Sequence, residues 1–181
     1  MFMKHDATSV DFGHFFQVKE EFIFVFSGFN DRFLTSVEVL EVSSGIWREF
    51  PDVCSHRTKF QAIQSRPDSV LLLGGKDVYG VQTAEVEEFC SRDMKNFPVY
   101  WKLPEGLAGF ACCFVRENLL VLCGGSSGQE VRAKASLVNL ENPERPVFSP
   151  LPDMLEPREE FALIAASDGR IYAFGGYNSE Q

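Results

Sequence analysis

Apolar residues along the chain fall in short runs separated by Gly, Asp, Ser and charged residues, with no helical three-to-four spacing between them. Phe161-Ala-Leu-Ile-Ala-Ala-Ser-Asp-Gly-Arg-Ile-Tyr-Ala-Phe-Gly-Gly176 shows the pattern most clearly: an apolar run, a turn, a second apolar run and a diglycine. Phe110 to Gly125 and Phe60 to Gly75 match it position for position, and a degenerate copy runs from His14 through Phe22-Ile-Phe-Val-Phe-Ser-Gly28. Gly28, Gly75, Gly125 and Gly176 stand 47, 50 and 51 residues apart. Runs this short, bounded by turn residues, predict β-hairpins, and their recurrence at a fixed period predicts a repeat architecture.

A third and a fourth strand follow each hairpin. Ser36-Val-Glu-Val-Leu-Glu-Val42 aligns with Thr83-Ala-Glu-Val-Glu-Glu-Phe89, and Ala135-Ser-Leu-Val-Asn-Leu140 is a looser third copy. The fourth segment opens on an aromatic and closes on proline: Trp47 to Pro51, Tyr100-Trp101 to Pro104, and Phe148 to Pro152. Proline cannot donate to a ladder, which suits the end of an outer strand. The expected unit is a four-stranded antiparallel sheet of roughly 50 residues, which buries its faces only by stacking on its neighbours. Glycine at Gly28, at Gly74 and Gly75, at Gly124 and Gly125, and at Gly175 and Gly176 would admit a close backbone neighbour and a turn with φ > 0. The fourth-strand aromatics, Trp47 and Trp101 among them, would wedge between adjacent sheets. Arg57 and Arg158 recur in register before Phe60 and Phe161, with Leu107 in the middle copy, and are expected to serve structural hydrogen bonds.

The order of hydrophobic strand, Gly-Gly, Val-Glu strand, aromatic and Leu-Pro…Arg resembles the kelch repeat of β-propellers. Arg170 to Gly176 and Leu151 to Arg158 carry the likeness best, and it covers residues 14–177. Departures are Ser27-Gly28 for Gly-Gly, Phe148 for Trp and Leu107 for Arg. The resemblance implies an all-β chain with complete blades at about 14–51, 60–104 and 110–152 and a half blade at 161–176, after an extension over 1–13 and before a tail over 178–181. Closed propellers have about four to eight blades, so the expectation is an incomplete propeller: a fragment, or an arc whose open edges invite self-association.

Composition narrows the function classes. A formal charge of −9 and a pI near 4.8 argue against a general nucleic-acid binder. No run approaches the ~18 apolar residues of a membrane span, and the amino terminus has no secretory pattern, so a cytoplasmic location is expected. Five cysteines without ligand spacing indicate neither disulfides nor zinc. The histidines, His5, His14 and His56, are scattered, and no catalytic constellation, metal or cofactor is expected. The paired carboxylates Glu38/Glu41 and Glu85/Glu88 repeat at one position of the unit, which points to a solvated or structural role. Gly124-Gly-Ser-Ser-Gly128 lacks the ending of a phosphate loop.

Strands running up and down in turn bring the loop after the second strand and the loop after the fourth to one face. Arg32, Phe33, Lys76, Tyr79, Arg132 and Tyr177 are the candidate anchors there for a partner protein or peptide. The resemblance thus implies a non-enzymatic interaction module. Kelch propellers often act as substrate receptors of cullin-type ubiquitin ligases through BTB or F-box domains, and neither companion is visible in this sequence. The alternatives are a piece of a propeller enzyme (an oxidase or a sugar epimerase) and a structural arc that assembles with itself.

Overall fold

The computed structural model describes residues 14–19, 22–51, 54–128 and 130–178, and the expected extension over 1–13 lies outside them. The described residues are all-β, with no helix. Strands β1 (His14–Lys19), β2 (Phe22–Phe29), β3 (Phe33–Glu41) and β4 (Ile46–Phe50) pair in that order as one antiparallel sheet. A second sheet follows with β5 (Gln61–Arg66), β6 (Ser69–Leu73), β7 (Glu85–Cys90) and β8 (Lys95–Lys102). The third contains β9 (Ala111–Arg116), β10 (Leu119–Cys123), β13 (Ala135–Asn139) and β14 (Val147–Leu151). Between its inner and outer halves lies a small ribbon of β11 (Ser126–Ser127) and β12 (Glu130–Val131), where the sequence predicts only loop. The last element is a hairpin of β15 (Ala162–Ala165) and β16 (Ile171–Phe174).

The sheets succeed one another through their first strands, β1 lying beside β5, β5 beside β9 and β9 beside β15. The core is therefore not one mass but three seams. In the first, Phe24, Phe26, Val37 and Val39 meet Phe60, Val70, Leu72 and Phe89. In the second, Leu71, Leu73, Val86, Trp101 and Leu103 meet Phe110, Cys112, Leu120, Leu122 and Val138. A smaller third seam joins Ala111, Val121, Cys123 and Ala135 to Phe161. Side chains alternate across a strand, so β6 sends Val70 and Leu72 into one seam and Leu71 and Leu73 into the next. That is why its sequence is continuously apolar rather than alternating. Phe89 sits edge-on to Phe24 and Phe26, with centroids 6.0 and 4.9 Å away. Such pairs add about 0.5–1.5 kcal/mol each beyond simple burial.

The two tryptophans have different fates. Trp47 lies opposite Leu40 on the outer strand and is 49% exposed, so it wedges nothing. Trp101 is 7% exposed and packs on Phe148 across the second seam. The cause is a register shift between Glu85 and Glu87, opposite Lys102 and Pro98, which turns Trp101 inward and leaves Tyr100 90% exposed. The β15–β16 hairpin turns Leu163 toward the third seam and exposes Ile164, Tyr172 and Phe174 on its other face. Among the described residues β16 pairs with β15 alone.

Candidate functional site

The diglycines build the face on which the candidate anchors stand. Gly125, at φ +82°, donates its N–H to the Arg158 carbonyl at 2.9 Å, and a Cβ there would lie 2.6 Å from the Phe110 Cβ. Gly75 repeats the bond one unit earlier, to the Leu107 carbonyl at 2.8 Å. The next residue in each unit then pairs with the segment leading into the hairpin: Thr58 with Lys76, Ala108 with Ser126, and Glu159 with Tyr177. These three bridges occupy one register, and they fix Lys76, Ser126 and Tyr177 as equivalent positions.

One residue further on, Lys59, Gly109 and Glu160 have φ values of 54°, 64° and 55°. Only the middle one is the glycine that this conformation favours. They are linked in series: the Gly109 N–H donates to the Lys59 carbonyl at 2.8 Å, and the Glu160 N–H to the Gly109 carbonyl at 2.7 Å. The Lys59 ammonium pairs with the Glu160 carboxylate, so the second sheet and the last hairpin are joined across the third sheet. Beside this pair the buried carboxylate of Glu159 accepts a hydrogen bond from Ser126 Oγ at 2.8 Å and another from the Tyr177 hydroxyl. Burial pushes the Tyr177 phenol upward, and the adjoining Glu159 adds to the shift. For Lys59, burial acts downward, but the hydrogen bond and charge of Glu160 outweigh it, so the ammonium is held above its ordinary value.

The six candidate anchors occupy separate settings. Arg32 is exposed at the β2–β3 turn, and Phe33 stacks edge-on to Phe29 at 5.4 Å; both line a shallow hollow with Glu49 and Pro51. Tyr79, 86% exposed, projects from a turn that Asp77 closes by accepting the N–H groups of Tyr79 and Val81. Lys76 is half-buried in its bridge to Thr58. Arg132 is committed, its guanidinium paired with Glu105 and its backbone N–H donated to the Gly125 carbonyl at 2.9 Å. Tyr177 alone belongs to the Glu159 cluster. The loops of the second and third sheets are tied where Gln82 Nε2 donates to the Gly128 carbonyl at 2.7 Å.

The registered arginines lie beneath this face. Arg57, 3% exposed, donates to the carbonyls of Gly74 and Glu85 at 3.1 and 3.2 Å and pairs with Glu87 at 2.5 Å. Arg158 donates to the Gly175 carbonyl at 2.8 Å, the same seventeen-residue step. Of the repeated carboxylates, Glu85 pairs with Lys102 and Glu41 lies 3.9 Å from Arg48, both on outer strands. The side-chain cluster on this face that sequence reasoning missed is Ser126, Glu159 and Glu160. Its signal was available: the residue before each hairpin phenylalanine is Lys59, Gly109 or Glu160, and the glycine marks a left-handed position.

No His/Cys/Asp/Glu grouping suited to a metal occurs among the described residues, and none of their helices could cross a membrane, there being none. The five cysteines are free thiols, Cys90 half-buried and the others buried. Comparison with protein families and with curated proteins finds no match to this chain.

Proposed function

We propose that the chain is an arc of kelch-type propeller blades and that it works as a non-enzymatic interaction module. It presents the loops beyond its diglycines to a partner protein or peptide. The observation that supports this reading is the common register of the bridges Thr58–Lys76, Ala108–Ser126 and Glu159–Tyr177. They give successive sheets the same loop-bearing end, with Arg32 and Tyr79 extended from it into solvent. A rigid scaffold carrying exposed Arg and Tyr on loops suits recognition. Affinity capture with wild type and with an Arg32→Ala/Tyr79→Ala variant tests the face. Both substitutions fall on exposed side chains and should leave the melting temperature within about 2 °C of wild type. Loss of specific partners at unchanged stability is the expected result, and an identical partner set would overturn it.

A further inference from the structure

At the opposite end of the strands, the second and third sheets diverge around a cleft of about 450 Å³. Part of its wall is hydrocarbon and aromatic, with Leu71, Val99, Phe114 and Leu140 inside and the exposed Tyr100 beside them. Four carboxylates line it, Glu88 on β7, Glu117 in the β9–β10 turn, and Glu141 and Glu144 in the β13–β14 loop, against a single cation, Arg66. None of these four carboxylates is in an ion pair among the described residues. The equivalent cleft between the first and second sheets, about 380 Å³, differs in this respect. Its two arginines, Arg48 and Arg92, face Glu41 and Asp68 and satisfy them within the protein.

We infer that the cleft between the second and third sheets is a docking site for a basic peptide segment, which inserts a lysine or arginine side chain between the sheets. The methylene stem of such a side chain suits the Leu71, Val99 and Phe114 wall, because long cationic side chains bury their stems and keep the head polar. Its charged head then lies at the rim, where the unpaired carboxylates supply the counter-charge and Tyr100 an aromatic surface for a cation. Charge complementarity selects this occupant: an acidic or neutral segment would leave the carboxylates repelled or unpaired. The register shift that buries Trp101 and exposes Tyr100 shapes this wall. The site is on the end of the sheets away from the diglycine loops and stands independently of the function proposed for them.

Fluorescence anisotropy of the whole chain with a labelled octapeptide of alternating lysine and serine, and with its glutamate counterpart, tests the assignment. The basic peptide should bind and the acidic one should not. Glu141→Gln/Glu144→Gln should weaken binding about tenfold, roughly threefold for each exposed ion pair lost. Tyr100→Ala, which leaves the charge unchanged, should weaken it about threefold. Glu38→Gln/Glu156→Gln, at exposed positions outside the cleft, removes the same net charge elsewhere and should leave binding unchanged. Equal weakening by the two glutamine pairs would reduce the effect to overall charge and overturn the site. So would failure of wild type to bind the basic peptide, or equal binding of the acidic one.

Discussion

Replacing Arg57 by alanine should destabilise the protein far more than the same change at its registered counterpart, Arg158. Arg57 is 3% exposed, and its guanidinium serves three acceptors: the Gly74 carbonyl, the Glu85 carbonyl and the Glu87 carboxylate at 2.5 Å. Glu87 is otherwise held by Ser55 and by Asn96 Nδ2 at 2.8 Å, so truncation of the arginine leaves a half-buried anion with neutral partners only. Breaking a buried ion pair from one side costs about 3–5 kcal/mol. Arg158 instead donates to the Gly175 carbonyl at 2.8 Å in an exposed setting, a bond for which about 1 kcal/mol is the reasonable loss. With a urea slope of about 2 kcal/mol per molar, Arg57→Ala should lower the midpoint by roughly 1.5–2.5 M and Arg158→Ala by roughly 0.5 M. Far-UV circular dichroism in urea reads both. Adding Glu87→Gln to Arg57→Ala should restore part of the loss, because the orphaned charge is gone. Equal midpoints for the two arginine variants, or no recovery in the double variant, would refute the reasoning.

Two further outcomes follow from the same geometry. Gly125→Val places a Cβ 2.6 Å from the Phe110 Cβ and 2.7 Å from its nitrogen at φ +82°, and should cost on the order of 4 kcal/mol, whereas Gly128→Ala, with nothing within 4 Å of its Cβ, should cost about 1 kcal/mol for its left-handed φ alone; similar melting temperatures for the two would contradict the close approach at Gly125. Burial, with the charge of Glu87 adding to it, raises the Cys54 thiol to about 12, and burial raises Cys123 to about 11, from an ordinary 9.0. The folded state therefore holds these protons more tightly than the unfolded chain, and their contribution is complete below pH 9.0 and is lost as pH rises from 9.0 through about 11 and about 12, so urea midpoints should drop as pH rises above 9.0, and a flat or rising profile there would count against it.

The hairpins were legible because they are local: Phe60, Phe110 and Phe161 recur at one distance from Gly75, Gly125 and Gly176, and all three pairs sit in contact. The third and fourth strands were legible in existence but not in facing. Counting back from proline aligns Trp47 with Tyr100 and Phe148, yet the two-residue difference in register at Glu85–Glu87 buries Trp101 instead. A register shift depends on the partner strand and leaves no mark in the strand that carries it. The anchors were placed by loop membership alone, which does not separate Arg32 and Tyr79, exposed to solvent, from Arg132, already paired with Glu105. The buried Glu159 and Tyr177 flank the last hairpin and Ser126 follows β10 of the third sheet; the repeat register marks their backbone positions, but not that these three side chains bond to one another.

The division of the core into three seams has a consequence for how such a chain can change over generations. Phe26 and Phe89 solve the first packing problem without reference to Leu120 and Val138, which solve the second. A substitution is therefore answered by its own seam, and a duplicated or deleted unit brings or removes a complete pair of contact surfaces rather than disturbing a shared interior. Array length becomes a heritable variable nearly separate from the fitness of any one sheet, and the loops at either end can diverge while the seams that carry them stay fixed.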